Sequence, residues 1–403
     1  MDSILELARK ESARQHETIR LIASENYVSR DILEVLGTEL TNKYSEGYPT
    51  KRYYEGQEFT DAIELRAIEA AKRVFGCNYA NVQAYSGSPA NLAVYFALLN
   101  PGDTIMGLNL PSGGHLTHGF KVSITGKWLN SVPYSINPDT HLIDYDEVER
   151  LAREHKPKII ISGHSAYPRQ IDFERFGKIA KEVGALHMAD IAHISGLVAT
   201  GEHPSPFPHA DIVTMTTHKI LRGPRGALIL TNDEKLAKKI DKAVFPGLQG
   251  GPHMNNIAGI AIALEEAMTQ SYTTYTQQVK KNIKALGEAL MERGYDLFTG
   301  GTDNHLVLVD LRPKGIDGDT LGKALIKANI ETNKNAIPFD PAPPMKPNGI
   351  RLGTPAVTTI GMKEEHMVQI AEFIEQVYQN VDNDQALAEI REEVKQFMNK
   401  FSL

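Results

Sequence analysis

Between Ala80 and Leu230 the chain alternates short apolar runs with longer amphipathic ones, and this alternation constrains the fold more than any other feature. The strand candidates are Ala80–Ala84, Thr104–Gly107, Lys158–Ser162, Ala185–Ala189, Asp211–Thr216 and Ala227–Leu230. Phe173–Val183 reads as a helix between two of them. Strands separated by helical crossovers pair in parallel, so the pattern predicts an α/β unit with a mainly parallel sheet. Several of these runs end in polar or Gly-rich segments, where open α/β sheets gather ligands.

Elsewhere the periodicity is helical or mixed. Residues 1 to about 20 read as a polar, exposed helix, and Gly47, Pro49 and Gly56 punctuate an aromatic-rich loop from Tyr44 to Tyr54. Ile63, Ala67, Ile68, Ala71, Val74 and Phe75 fall at helical spacing and predict a helix over Thr60–Phe75. A long amphipathic pattern covers about 255–294, strand character resumes at His305–Asp310, and helices follow at about 318–328, 362–379 and 384–400. Pro338, Pro341, Pro343, Pro344 and Pro347 predict a stiff, ordered loop. The expected division is an N-terminal arm over 1–50, a large cofactor-binding domain over 51–279 and a small C-terminal α+β domain over 280–403.

Composition removes several function classes. The 403 residues carry 43 Lys plus Arg against 50 Asp plus Glu, a formal charge of -7. That balance argues against a general nucleic-acid or acidic-membrane partner while leaving room for a local basic pocket. A single cysteine, Cys77, permits neither an intrachain disulfide nor a Cys-based metal cluster, and it is expected as a small buried or loop thiol. The longest apolar stretch, around Leu92–Leu99, is far short of the roughly 18 residues of a membrane span. Asp2 and Glu6 stand where a leader would be basic, so the expected location is cytoplasmic.

Three local patterns carry chemistry. Ser86-Gly87-Ser88-Pro89-Ala90-Asn91 precedes an apolar helix, with Ser88 suited to the N-cap and Pro89 to the first helical position. Free N–H groups, hydroxyls and the helix dipole would face an anion such as a phosphate, although an ordinary capped helix start has the same sequence. Asp190 ends an apolar run, a position for a functional carboxylate or for a helix cap. Lys219 follows the run Val213–Thr216; desolvation there would free its amine as a nucleophile, while exposure would leave a plain surface lysine. A phosphate cradle, a carboxylate and a nucleophilic lysine on successive strand ends together match the needs of pyridoxal 5'-phosphate.

Longer motifs sharpen this. Leu21-Ile22-Ala23-Ser24-Glu25-Asn26, Tyr44-Ser45-Glu46-Gly47-Tyr48-Pro49, Lys51-Arg52-Tyr53-Tyr54 and Gly113-Gly114-His115-Leu116-Thr117-His118-Gly119 open the series. Ser165-Ala166-Tyr167-Pro168-Arg169, Thr217-His218-Lys219, Leu221-Arg222-Gly223-Pro224-Arg225-Gly226, Gln249-Gly250-Gly251-Pro252 and Asn333-Lys334-Asn335 continue it. In content and order they resemble the serine hydroxymethyltransferase family over essentially the whole chain. The resemblance implies the pyridoxal-phosphate-dependent transferase fold type I, aspartate-aminotransferase-like, and a homodimer or dimer of dimers with a shared active site. It implies that Lys219 bonds the cofactor, Asp190 faces the pyridine nitrogen, His115 stacks over the ring, and Ser165 and His193 lie near the phenolic oxygen. Ser86, Gly87 and Ser88 would hold the phosphate, with Gly250 and Gly251 supplied by the neighbouring subunit and His218 also at the cofactor. Arg351 would bind the amino-acid carboxylate, and Glu46 would handle the substrate hydroxyl and the folate. Ser24 and Tyr44 fall on substrate positions, and Tyr53, Tyr54, Leu110, Gly114, Leu116 and Asn335 on folate-contacting ones.

The implied reaction converts serine and tetrahydrofolate to glycine and 5,10-methylenetetrahydrofolate. Two other readings compete: a folate-independent pyridoxal-phosphate aldolase or transaldolase of β-hydroxy amino acids, and a cofactor-free family member with a regulatory or RNA-binding role. Departures from the family pattern leave room for the former, among them Thr50 and Glu55 for glycines, Ile220 beside the lysine, His253, Asn255 and Ile360. No metal is expected, because His115 and His118 stand three apart without an acid nearby in sequence.

Overall fold

The computed structural model describes residues 2–343 and 345–401. Two compact units divide them, one over Asn26–Ser165 and Gln170–Thr276, the other over 2–25, Ala166–Arg169 and 277–401. The expected boundaries were 50 and 279.

The larger unit is built on a seven-stranded sheet. Its spatial order is Tyr79–Asn81, Ala227–Thr231, Ile212–Thr216, Leu186–Asp190, Ile159–Gly163, Thr104–Leu108 and Asn130–Tyr134. From Ile212–Thr216 to Asn130–Tyr134 all pairings are parallel. Ala227–Thr231 runs antiparallel to both its neighbours. Every residue of Ile159–Gly163 and Ile212–Thr216 is buried, as expected of strands covered on both faces. The crossover Phe173–Val183 illustrates the local logic. Asp172 accepts from the Arg175 N–H to cap its start, Phe173, Phe176, Ile179 and Ala180 bury one face, and Gly184 at φ 73° ends it.

Several expected elements shift. The helix after Tyr85 begins at Gly87 with Ser86 as its N-cap, two residues before the expected start. Asn130–Tyr134 is a strand that periodicity does not reveal. The amphipathic stretch is two helices, Met254–Ala267 and Gln270–Glu292. Cys77 is buried just beyond the helix Glu58–Phe75.

The smaller unit holds a four-stranded antiparallel sheet ordered Asp296–Leu297, Leu306–Asp310, Gly349–Gly353 and Asn333–Asn335. Ile19–Arg20 pairs in parallel with Ile330–Glu331. In the proline loop, Asp340 accepts from the Ala342 N–H and from Asn348, both at 3.1 Å, which fastens the chain across its turn. Pro344 lies outside the described residues. Among the described residues no helix is long and apolar enough to cross a membrane.

Candidate active site

Asp190 closes the Leu186–Asp190 strand, where burial alone would raise its carboxyl. Hydrogen bonds reverse that. One carboxylate oxygen accepts from His118 Nε2 at 3.0 Å and Asn91 Nδ2 at 2.8 Å, and the other accepts from the Ala192 N–H at 3.1 Å. These donors, His118 foremost, outweigh burial and hold the group well below the ordinary carboxylate range, so it is ionised at neutral pH. The His115 backbone N–H reaches His118 Nδ1 at 3.3 Å, which leaves the Nε2 proton for Asp190. Burial holds the His115 imidazole down at about 4 against the pull of Asp190, so it is neutral.

Lys219 stands three residues past the Ile212–Thr216 strand. Its Nζ donates to Thr216 Oγ1 at 3.0 Å, and that hydroxyl donates to the Ala192 carbonyl at 3.4 Å. Lysine and carboxylate are thus linked through two intervening residues. The start of the Gly87–Leu98 helix closes the third side, where a Cβ on Gly87 would lie 2.6 Å from Thr216 Cγ2. Asn91, one turn further on, reaches Asp190. The Ser165 N–H donates to Gly113 at 2.6 Å, tying the strand end at Gly163 to the loop that carries Gly114, His115 and Leu116. Leu116 is half exposed. His193 is buried in the turn after Asp190. His218 accepts from Arg225 at 3.4 Å through Nε2, and burial next to Lys219 and Arg225 holds it neutral at about 3. Printed contacts thus join Gly87, Asn91, His118, Asp190, Ala192, Thr216 and Lys219, with Ser86 and Ser88 flanking Gly87, His193 next to Ala192 and His218 next to Lys219 in the chain.

A second group gathers around Glu46. Tyr54 donates to Glu46 Oε2 at 3.2 Å and Tyr44 to Oε1 at 3.5 Å. The Tyr44 and Tyr54 rings meet edge to face at 5.7 Å. Gly250 and Gly251 lie here too, since a Cβ on each would sit 3.5 Å from Glu46 Oε1 and 3.2 Å from the Tyr44 ring. Beneath the loop, Arg52 is a buried hub. It donates to Asp61 at 2.8 Å, to Glu64 at 2.6 Å and to the Ser45 and Gly47 carbonyls at 2.8 and 2.9 Å. Gln83 adds a 2.7 Å bond to Glu64.

Arg351 belongs to the smaller unit, in the strand Gly349–Gly353. Its Nε donates to Asn333 at 3.0 Å, and burial lowers the guanidinium to about 10. Asn335 lies on the paired strand Asn333–Asn335. Ser24 follows Ala23, whose Cα would stand 2.5 Å from a Cβ on Gly353.

A family profile described as serine hydroxymethyltransferase matches residues 1–374. A serine hydroxymethyltransferase of Acidothermus cellulolyticus is 58% identical over 394 residues, 97% of this chain and 92% of its own length. One from Rickettsia canadensis is 57% identical over 98% of this chain and 95% of its own length. Another from Desulfotalea psychrophila is 57% identical over 99% and 93%. The chain belongs to the serine hydroxymethyltransferase family.

Membership fixes the fold as type I of the pyridoxal-phosphate enzymes, in keeping with the large, mostly parallel sheet. Reading the sequence for family residues misses His118, Asn91 and Thr216, which hold Asp190 and Lys219. The metal argument also needs correcting in one respect: the fold supplies the missing acid, for His115, His118 and Asp190 offer donor atoms within 4.8 Å of one another. The His118–Asp190 hydrogen bond engages two of those atoms with each other. Of the departures from the serine hydroxymethyltransferase pattern, Thr50 adopts φ 66°, a conformation glycine takes without strain. His253 stacks on Tyr85 at 4.1 Å, and Asn255 bonds the Leu36 carbonyl and Thr41.

Proposed function

We propose that the chain transfers the serine hydroxymethyl group reversibly to tetrahydrofolate, giving glycine and 5,10-methylenetetrahydrofolate, with pyridoxal 5'-phosphate as its cofactor. The observation that carries this is the linked pair of an ionised Asp190 and the Lys219 amine on adjacent strand ends. The donor set fits the group. Lys219 offers an amine to an aldehyde, Asp190 an anion to a pyridine nitrogen, and Ser86, Gly87 and Ser88 hydroxyls and N–H groups at the start of a 12-residue helix to a phosphate. When bound, the cofactor supplies an electron-accepting ring.

The chain's own residues do the rest. Asp190 keeps a proton on the ring nitrogen; neutral His115 stacks without adding charge; Ser165, His193 and His218 orient the phenolic edge. Arg351 takes the amino-acid carboxylate with a planar fork. Glu46 moves a proton at the serine hydroxyl and bonds the folate, with Tyr54 beside it. Ser24 and Tyr44 contact the amino acid, while Tyr53, Leu110, Gly114, Leu116 and Asn335 frame the pterin. Gly250 and Gly251 serve the neighbouring subunit's phosphate, and because Glu46 and Tyr44 lie against them within one chain, those side chains travel with them into the neighbour's site. A homodimer or dimer of dimers follows. The open aromatic surface supports it, with Tyr53 71% and Phe59 74% exposed. The proposed location is the cytoplasm.

The test is folate dependence. Wild type should cleave serine far faster with tetrahydrofolate than without, and Glu46→Gln, which cannot cycle a proton, should lose most of that activity while still binding serine. Equal rates with and without folate would favour the aldolase. For Arg351→Ala, loss of a charge-assisted contact of about 1.5–3 kcal/mol should raise serine and glycine dissociation constants at least about tenfold. Cofactor binding should persist, and unchanged amino-acid affinity would reject the role.

A further inference from the structure

The backbone that carries Lys219 is held by side chains to which the proposed mechanism gives no role. Asn26 Nδ2 donates to the Lys219 carbonyl at 3.1 Å and also contacts the Tyr275 hydroxyl at 2.8 Å. The Tyr272 hydroxyl, fully buried, donates to the next carbonyl, Ile220, at 2.7 Å. The Arg222 N–H returns to the Lys219 carbonyl at 3.0 Å, closing a turn in which Arg222 adopts φ 58°. A non-glycine residue in that conformation is strained by about 1 kcal/mol or more and persists only where its surroundings over-determine it. Here they do: the guanidinium lies over the Tyr275 ring at 4.5 Å and the Tyr272 ring at 5.3 Å. Two consecutive carbonyls and a strained turn are therefore fixed from one helix face and from Asn26. The lysine tip is held separately, on Thr216.

We propose that Arg222, Tyr272, Tyr275 and Asn26 are positioning residues that hold the Lys219 backbone so that its amine meets the cofactor aldehyde in register. The proposal rests on the reading of Lys219 as the cofactor-bearing lysine. It assigns the four no contact with cofactor or substrate; they act through the lysine. A bonded pair held in register tolerates little displacement, since a shift of about 1 Å in reacting groups can lower a rate about a hundredfold.

Arg222→Gly removes the cation without adding strain, because glycine accepts positive φ. In the purified cofactor-free protein, loading with pyridoxal phosphate followed by borohydride trapping and peptide mapping measures how fast the bond to Lys219 forms. The expected result is at least about tenfold slower trapping for Arg222→Gly, with recovery in Arg222→Lys, which keeps a cation against the rings. In a Lys219→Ala background the same Arg222→Gly change should leave non-covalent cofactor affinity, measured by calorimetry, unaltered. Trapping at the wild-type rate would overturn the proposal, and so would a parallel loss of affinity in the Lys219→Ala background, which would mean that the residues touch the cofactor or merely maintain the pocket. Tyr275→Leu carries the same pair of measurements if Arg222→Gly does not fold. Borohydride labelling of a different lysine in wild type would instead refute the assignment of Lys219 itself.

Discussion

Lys219→Ala is expected to reduce serine turnover by at least about four orders of magnitude, the scale on which removal of a covalent nucleophile acts. Thermal stability is the control: a folded variant with its melting temperature close to wild type shows that the loss is chemical rather than structural. Serine and the cofactor should still bind through groups outside the lysine. The grouping of Glu46 with Gly250 and Gly251 adds a sharper outcome. If these residues complete a neighbour's site, two inactive variants can repair each other. Lys219→Ala and Glu46→Gln, unfolded together and refolded as a mixture, should regain about a quarter of wild-type activity, since half of the randomly formed dimers carry one intact site out of two. No recovery from well-folded mixed dimers would place Glu46 and Lys219 in the same subunit's site. Substantial turnover by Lys219→Ala alone would remove the lysine from the mechanism.

A comparable effect on stability is expected at Arg52. Its side chain and that of Glu64 are almost wholly buried, at 3% and 0% exposure, and Asp61 completes the cluster. Removing one member of a buried pair leaves an uncompensated charge and costs about 3–5 kcal/mol. A domain's whole stability is of the order of 5–15 kcal/mol, so Arg52→Met should come close to unfolding the larger unit. The deficit should depend on pH. Burial already raises the Glu64 carboxyl above its ordinary value despite Arg52, and without Arg52 it rises further. A carboxyl raised in the folded state contributes stability that is present below its unfolded value and is lost as pH climbs through the folded one. The gap between wild type and Arg52→Met in denaturant midpoint should therefore be widest at neutral pH and narrow toward the ordinary carboxylate range. A gap that stays constant across that range would mean that Glu64 does not carry the charge. Arg52→Met/Glu64→Leu, which removes both charges, should recover much of the loss.

The parallel strands could be read from sequence where both faces are covered, because Ile159-Ile160-Ile161 is apolar throughout and leaves no choice of face. Asn130–Tyr134 is not legible in this way, because it is an edge strand with mixed exposure and a proline, and its sequence reads like a loop. The helix starts at Gly87, two residues before Pro89, because Pro89 suits a first-turn position generally, while Ser86 takes the extended cap conformation without a side-chain capping bond. At the site, Lys219 and Asp190 stood out as charged groups at the ends of apolar runs. Their supports did not. Asn91 lies 99 residues from Asp190 and His118 lies 72 away, so only the folded sheet makes them partners. Arg52 looked like part of a tyrosine motif, and nothing local marks it as the hub that carries the loop.

The pairing of Ile19–Arg20 with Ile330–Glu331 bears on how the chain is made. Asn329 bonds the Glu17 carbonyl across 312 residues, so a segment made earlier must wait for one made much later. Residues 26–276 can meanwhile assemble their sheet, since domains fold as units during synthesis. In the folded chain the helix Ile4–His16 has no buried residue and carries Ile4 and Leu5 in the open. Its apolar positions are few and interleaved with charge, as suits a segment next to a strand whose partner lies more than three hundred residues further along the chain.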